Sequence, residues 1–174
     1  MAEDVLTIDL MTTESWKQLA AALDDLPKCL ADLRSPLPIR MKQLGDVLRD
    51  AEAHSLELVT YLVSLRNQLY PDPSAWAAVP LRYPQPDPTL VLALREWVMS
   101  LGTEPSVPLQ RQKRLNKALT QILVARAALH TYSEQLHEDR PDVLVRVLSA
   151  IWVLIAEIWK ARPLLSSGST GQDG

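Results

Sequence analysis

Phenylalanine is absent from this chain, cysteine occurs once, and three of the five glycines fall in the last seven residues. Gly45 and Gly102 are the only glycines before Leu165. Tight β-hairpins favour Asn-Gly or Asp-Gly at the turn, and the single Asp-Gly pair is Asp173-Gly174. A Gly-rich phosphate loop needs several closely spaced glycines, and none occur together. The lone Cys29 excludes an internal disulfide framework and points to a reducing compartment. No long hydrophobic run is present either. The most apolar stretch, 147–156, is half the ~20 residues that a membrane-spanning helix requires. The acidic start, Met1-Ala2-Glu3-Asp4, does not resemble a secretory leader. The expectation is a cytoplasmic protein with no membrane span.

Hydrophobic residues make up 47% of the 174 and charged residues 22%, a balance that suits one packed domain rather than a disordered chain. The net charge of −3 is unevenly placed. Residues 1–33 hold seven acids and two bases, whereas 111–126 hold five bases and no acid. The whole-chain charge argues against a dedicated nucleic-acid binder and leaves room for a local basic patch.

Hydrophobic spacing predicts helices throughout. Thr12 or Thr13 starts the first, with Glu14 in its first turn and Trp16, Leu19, Ala20 and Leu23 on its apolar face. Pro27 either divides this segment, with Asp24 or Asp25 capping a second short helix, or kinks one helix over 13–34. The strongest signal covers 38–70. Leu37, Met41, Leu44, Leu48, Ala51, Ser55, Leu58, Leu62, Leu65 and Leu69 follow an unbroken 4-3 alternation, the repeat of bundles and coiled coils. At ~1.5 Å per residue this helix is about 50 Å long.

Six of the thirteen prolines then stand in 71–88, which excludes both a helix and a central strand there. An extended crossover is expected, fixed to the bundle by Trp76, Val79, Leu81 and Tyr83, and long enough to make the next helix parallel to the 38–70 helix. A third helix opens with Asp87 as cap and Pro88 as first residue and ends at Gly102. A fourth runs from Ser106 or Val107 to about Glu138. A fifth starts around Arg140-Pro141 with Asp139 as cap, ends at Arg162-Pro163 and is apolar on most faces, as expected of a helix central to a core or an oligomer interface. The sequence thus predicts an all-α, elongated bundle of four to five helices over 13–165. An extended N-terminal arm over 1–12 precedes it and a disordered tail over 166–174 follows.

Candidate sites are few. Arg111, Lys113, Arg114 and Lys117 crowd the start of the fourth helix, where the helix dipole disfavours cations. They suit an acidic protein surface better than nucleic acid, because no aromatic is interleaved for base stacking. On the fifth helix Ile151, Trp152, Ile155 and Trp159 are interface candidates. Glu134 and His137 have the Glu-x-x-His spacing of di-iron bundles, but no second such motif accompanies them. His130 and His137 stand about 10.5 Å apart along a helix axis, too far for one Zn²⁺ with ~2 Å bonds, even with His54 added. Cys29 reads as a buried structural thiol, although the adjacent Lys28 would favour the thiolate. No metal, cofactor or catalytic signature is expected. The reading is a non-enzymatic helical interaction protein: an adaptor, assembly factor or regulatory subunit, with a homodimer or another protein as partner. The alternatives are a nucleic-acid accessory protein using 111–126 and a metal-dependent bundle enzyme.

Overall fold

A computed structural model describes residues 14–81, 83–103, 107–136 and 139–165. The arm over 1–12 and the tail over 166–174 lie outside the described residues, as do His137 and Glu138. Five helices are present: α1 (Glu14–Ala31), α2 (Leu37–Leu69), α3 (Pro88–Ser100), α4 (Leu109–Ser133) and α5 (Pro141–Leu165). There is no strand among the described residues. The all-α bundle follows from the sequence pattern.

Pro27 does not divide α1. A proline in a helix leaves the carbonyl four residues back without its amide donor, here that of Leu23. Arg126 of α4 supplies the missing donor, with Nε 3.2 Å from Leu23 O and Nη2 3.8 Å from the Asp24 carboxylate. Asp32 then closes the helix end by accepting from the amides of Arg34 and Ser35. The 4-3 stripe of α2 is buried from Leu37 to Leu65, with Leu69 partly buried. It packs against α1 on one side and α5 on the other, so the coiled-coil repeat is satisfied within one chain.

Asp87 caps α3 through the amide of Thr89, 2.9 Å away, as the Asp-Pro order predicts. Gly102 lies in a 3-10 turn, Leu101–Thr103, and has no positive φ. The site is close-packed instead, since a Cβ there would stand 3.3 Å from Gln112 Oε1. Helix α4 stops at Ser133, earlier than the apolar spacing suggests. The first bonds of α5 run back to Arg140 O, so that helix starts at Arg140-Pro141, where the sequence places it. Pro163 does not end α5 but sits inside its last turn.

The helices close into a ring. α1 packs on α2, α2 on α5, α5 on α4, α4 on α3, and α3 back on α1. Near the start of α2, Arg40 Nη1 donates to Ser100 Oγ at the end of α3, 2.8 Å away. Helix α3 therefore runs opposite to α2, not parallel as the crossover length suggests. The connection returns the chain only part of the way and α3 completes the return. It also carries the chain across the outside of α5, where Arg146 Nε donates to Pro80 O at 3.2 Å and the hydroxyls of Tyr83 and Ser149 meet. At its start the Trp76 indole donates to Tyr70 O at 3.1 Å, and the Arg66 guanidinium lies 3.9 Å above its ring.

The core is continuous, with Trp97, Leu44, Leu58, Leu62, Leu94 and Leu115 among its most buried side chains. Two of the five tryptophans, Trp16 and Trp97, take the place that phenylalanine commonly fills. No helix is long and apolar enough to cross a membrane, among the described residues.

Candidate functional site

The interface residues predicted on α5 divide by face. Ile151 and Ile155 are buried in the core at 0% and 1% exposure, whereas Trp152 and Trp159 are 51% and 55% exposed. A seven-residue separation places the two indoles about 10 Å apart along the axis on one side of the helix, with exposed Ala156 between them. Residues 149, 152, 156, 159 and 163 continue a 4-3 stripe on this outward face.

Two clefts flank the stripe where α5 meets α2. One, of about 560 Å³, lies beneath the crossover between Arg66, Trp76, Val79, Leu81, Trp152 and Ala156. The other, of about 620 Å³, opens between the first turns of α2 and the last turns of α5. Pro38, Met41 and Gly45 face Trp159, Pro163 and Leu165 across it, and Lys42, Asp46, Arg49 and Arg162 stand around it. Glu52 of α2 accepts from both the Trp159 indole and the Arg162 guanidinium, which fixes the indole as one wall. Asp46 holds Lys42 at 3.0 Å and Arg49 at 2.9 Å. Sequence reasoning singled out the two tryptophans but missed Gly45, Arg49 and Glu52. The available signal was Gly45 itself, the only glycine inside a 33-residue helix.

The basic run divides in a similar way. Arg111 is half-buried and donates from Nε to Leu164 O at 2.7 Å, capping a carbonyl at the end of α5. Arg126 serves Pro27 as described. Lys113, Arg114 and Lys117 remain exposed on α4 and pair with no carboxylate of the described residues. The patch is thus three cations, with Arg111 excluded by its structural role.

The histidines do not converge. His54 of α2 has Nδ1 3.1 Å from Glu57, and His130 is exposed in the last turn of α4. Helix α5 separates the two helices in the ring. Glu134 is the C-cap residue of α4, four residues after His130 and still in helical conformation; His137 lies outside the described residues. Among the described residues no cluster of three or more His, Cys, Asp or Glu side chains is arranged to hold a metal. Cys29 is half-buried. Burial pushes its thiol pKa up, and Asp25, Asp32 and Asp46 add to the effect. Lys28 does not offset this, because it is exposed and pairs with Asp25 at 3.6 Å.

No family model matches this chain, and neither curated proteins nor solved structures give a significant match.

Proposed function

We propose that this chain is a non-enzymatic, cytoplasmic interaction protein that engages protein partners through the outer α2–α5 face. The observation that carries the reading is the pair of half-exposed tryptophans on one rigid helix, each beside a cleft. Tryptophan is costly to leave in water and is enriched among the side chains that dominate binding energy at interfaces. The fixed Trp159 ring loses little freedom when a partner covers it. Self-association is one form of the proposal, since two copies of the stripe can pair with each Trp against the partner's Ala156.

A photo-crosslinking residue at position 156 tests this. The expected result is one major adduct in cells that disappears in the Trp152→Ala/Trp159→Ala variant, which stays folded. Sedimentation then shows whether the adduct is a second copy. A chain that gives no adduct, or one indifferent to both tryptophans, overturns the reading.

A second reading rests on Lys113, Arg114 and Lys117, which no carboxylate of the described residues neutralises although they stand near a helix N-terminus. Nucleic-acid binding through them would weaken steeply with salt and disappear when all three become Ala. Binding that survives those changes removes this reading.

A further inference from the structure

Gly45 has no explanation among the described residues. It lies inside α2, two turns from its start, where glycine is less stable than alanine because it loses more backbone freedom on folding. Its φ is not positive, so no special backbone conformation requires it. A Cβ built on it would meet nothing within 4 Å, so no neighbouring helix or side chain needs the space. Gly102 provides the contrast, because Gln112 closely approaches the place its Cβ would occupy. What Gly45 does is deepen the floor of the cleft opposite Trp159. A bare backbone at the floor of a cleft is the arrangement that lets an outside group approach closely.

The surroundings indicate the chemistry of that group. The walls are apolar, made by Pro38, Met41, Trp159, Pro163 and Leu165. The charged groups lining the cleft are Lys42, Arg49 and Arg162 with Asp46; Glu52 beside it takes up Arg162, which leaves Lys42 and Arg49 to share one carboxylate. Asp46 is divided between Lys42 and Arg49, so both retain donors for another acceptor. We propose that this cleft takes an acidic amphipathic segment of a partner protein. A large apolar side chain of that segment rests on Gly45 against the Trp159 ring, and flanking carboxylates meet Lys42 and Arg49. The inference depends on the α2–α5 face being a protein-binding face and specifies which cleft is used and by what.

The test selects binders to the full chain from a phage library of random 16-residue peptides and measures the affinity of the leading synthetic peptide. The enriched sequences are expected to carry Asp or Glu around a large apolar residue. Gly45→Leu fills the cleft and weakens the peptide at least tenfold, and Arg49→Gln weakens it severalfold in a salt-dependent way. Gly45→Ala serves as a folding control and raises Tm by about 2 °C, since it removes only the helical penalty of glycine.

Several results overturn the proposal. Peptides without acidic bias remove the charge argument, and a peptide indifferent to Gly45→Leu does not use this cleft. If that indifferent peptide still requires Trp152, the binding face stands and only the cleft assignment fails. If no selected peptide depends on either residue, both fail. Peptide binding seen only after deletion of residues 1–13 makes the chain's own N-terminal segment the occupant. A full-chain dimer that dissociates in Gly45→Leu makes it a second copy. Either result excludes a separate partner.

Discussion

Two stripes in this molecule share the same 4-3 spacing and have opposite environments. The stripe on α2 runs through Leu44, Leu48, Leu58 and Leu62, each at most 1% exposed. The stripe on the outer face of α5 runs through Ser149, Trp152, Ala156 and Trp159, with both indoles about half in solvent. A 3.5-residue repeat declares that a helix surface is made to be covered; it does not say by what. For α2 the cover is α1 and α5 of the same chain. For the outer face of α5, the first half lies under the proline-rich crossover and the second half has no cover among the described residues.

Truncation of each stripe is the most direct way to break the comparison. Leu58→Ala removes a fully buried side chain and leaves a cavity, for an expected loss of about 3 kcal/mol in urea unfolding. Trp152→Ala removes a larger side chain, yet only its packed half contributes, so about 1–2 kcal/mol is expected. A loss for Trp152→Ala as large as that for Leu58→Ala would mean that the outer stripe belongs to the core and would remove the distinction.

Much of the fold was legible because helices write their periodicity and caps into local sequence. The α2 stripe, the Asp87-Pro88 start and the proline-rich crossover were all readable in this way. What was not readable depends on contacts distant in sequence. Pro27 stays inside one helix because Arg126, 103 positions from Leu23, supplies the missing donor. The direction of α3 follows from Arg40 reaching Ser100. The same limit applied to the candidate site. A count of bases in 111–126 could not separate Arg111 and Arg126, which bond to backbone carbonyls, from the three exposed cations. Nor could the all-round greasiness of α5 separate Ile151 from Trp152. The cleft at Gly45 is made by two helices that meet over more than a hundred residues of separation, so only the isolated glycine hinted at it.

Ser55 sharpens the comparison at smaller scale. It is the one polar member of the α2 stripe, fully buried, with its hydroxyl lacking a hydrogen-bond partner among the described residues. A buried unpaired hydroxyl costs free energy, and alanine is the better helix former. Ser55→Ala is therefore expected to stabilise the fold by about 0.5–1 kcal/mol, read as a rise in Tm of a few degrees. A fall in Tm would show that the hydroxyl is used by something other than this core.

The smallest expected effect tests why only half of the α5 outer face is covered. Arg140 grips the Asp142 carboxylate with two donors, at 3.0 and 2.9 Å, and Arg146 adds a third at 3.1 Å while also holding Pro80 O of the crossover. Hydrogen bonding from Arg140, with the positive charge of both arginines, holds the Asp142 carboxyl below its usual pKa. The folded state therefore favours the ionised form. Its contribution is full above the unfolded-state pKa of about 4 and is lost as pH falls through the lowered folded value. Asp142→Asn should cost about 0.5 kcal/mol at pH 7, and the two chains should converge in stability once pH has fallen through the lowered folded value. If the difference persists at low pH, the side chain acts through shape rather than charge, and the crossover is held over α5 by Tyr83 and Ser149 instead. If it behaves as expected, the covered half of the face is fastened by a charged clasp at the start of α5. Among the described residues no equivalent clasp to the crossover stands beside Trp159, whose indole and neighbouring Arg162 both turn to Glu52 on α2. That difference in fastening leaves the second half of the stripe open to a partner.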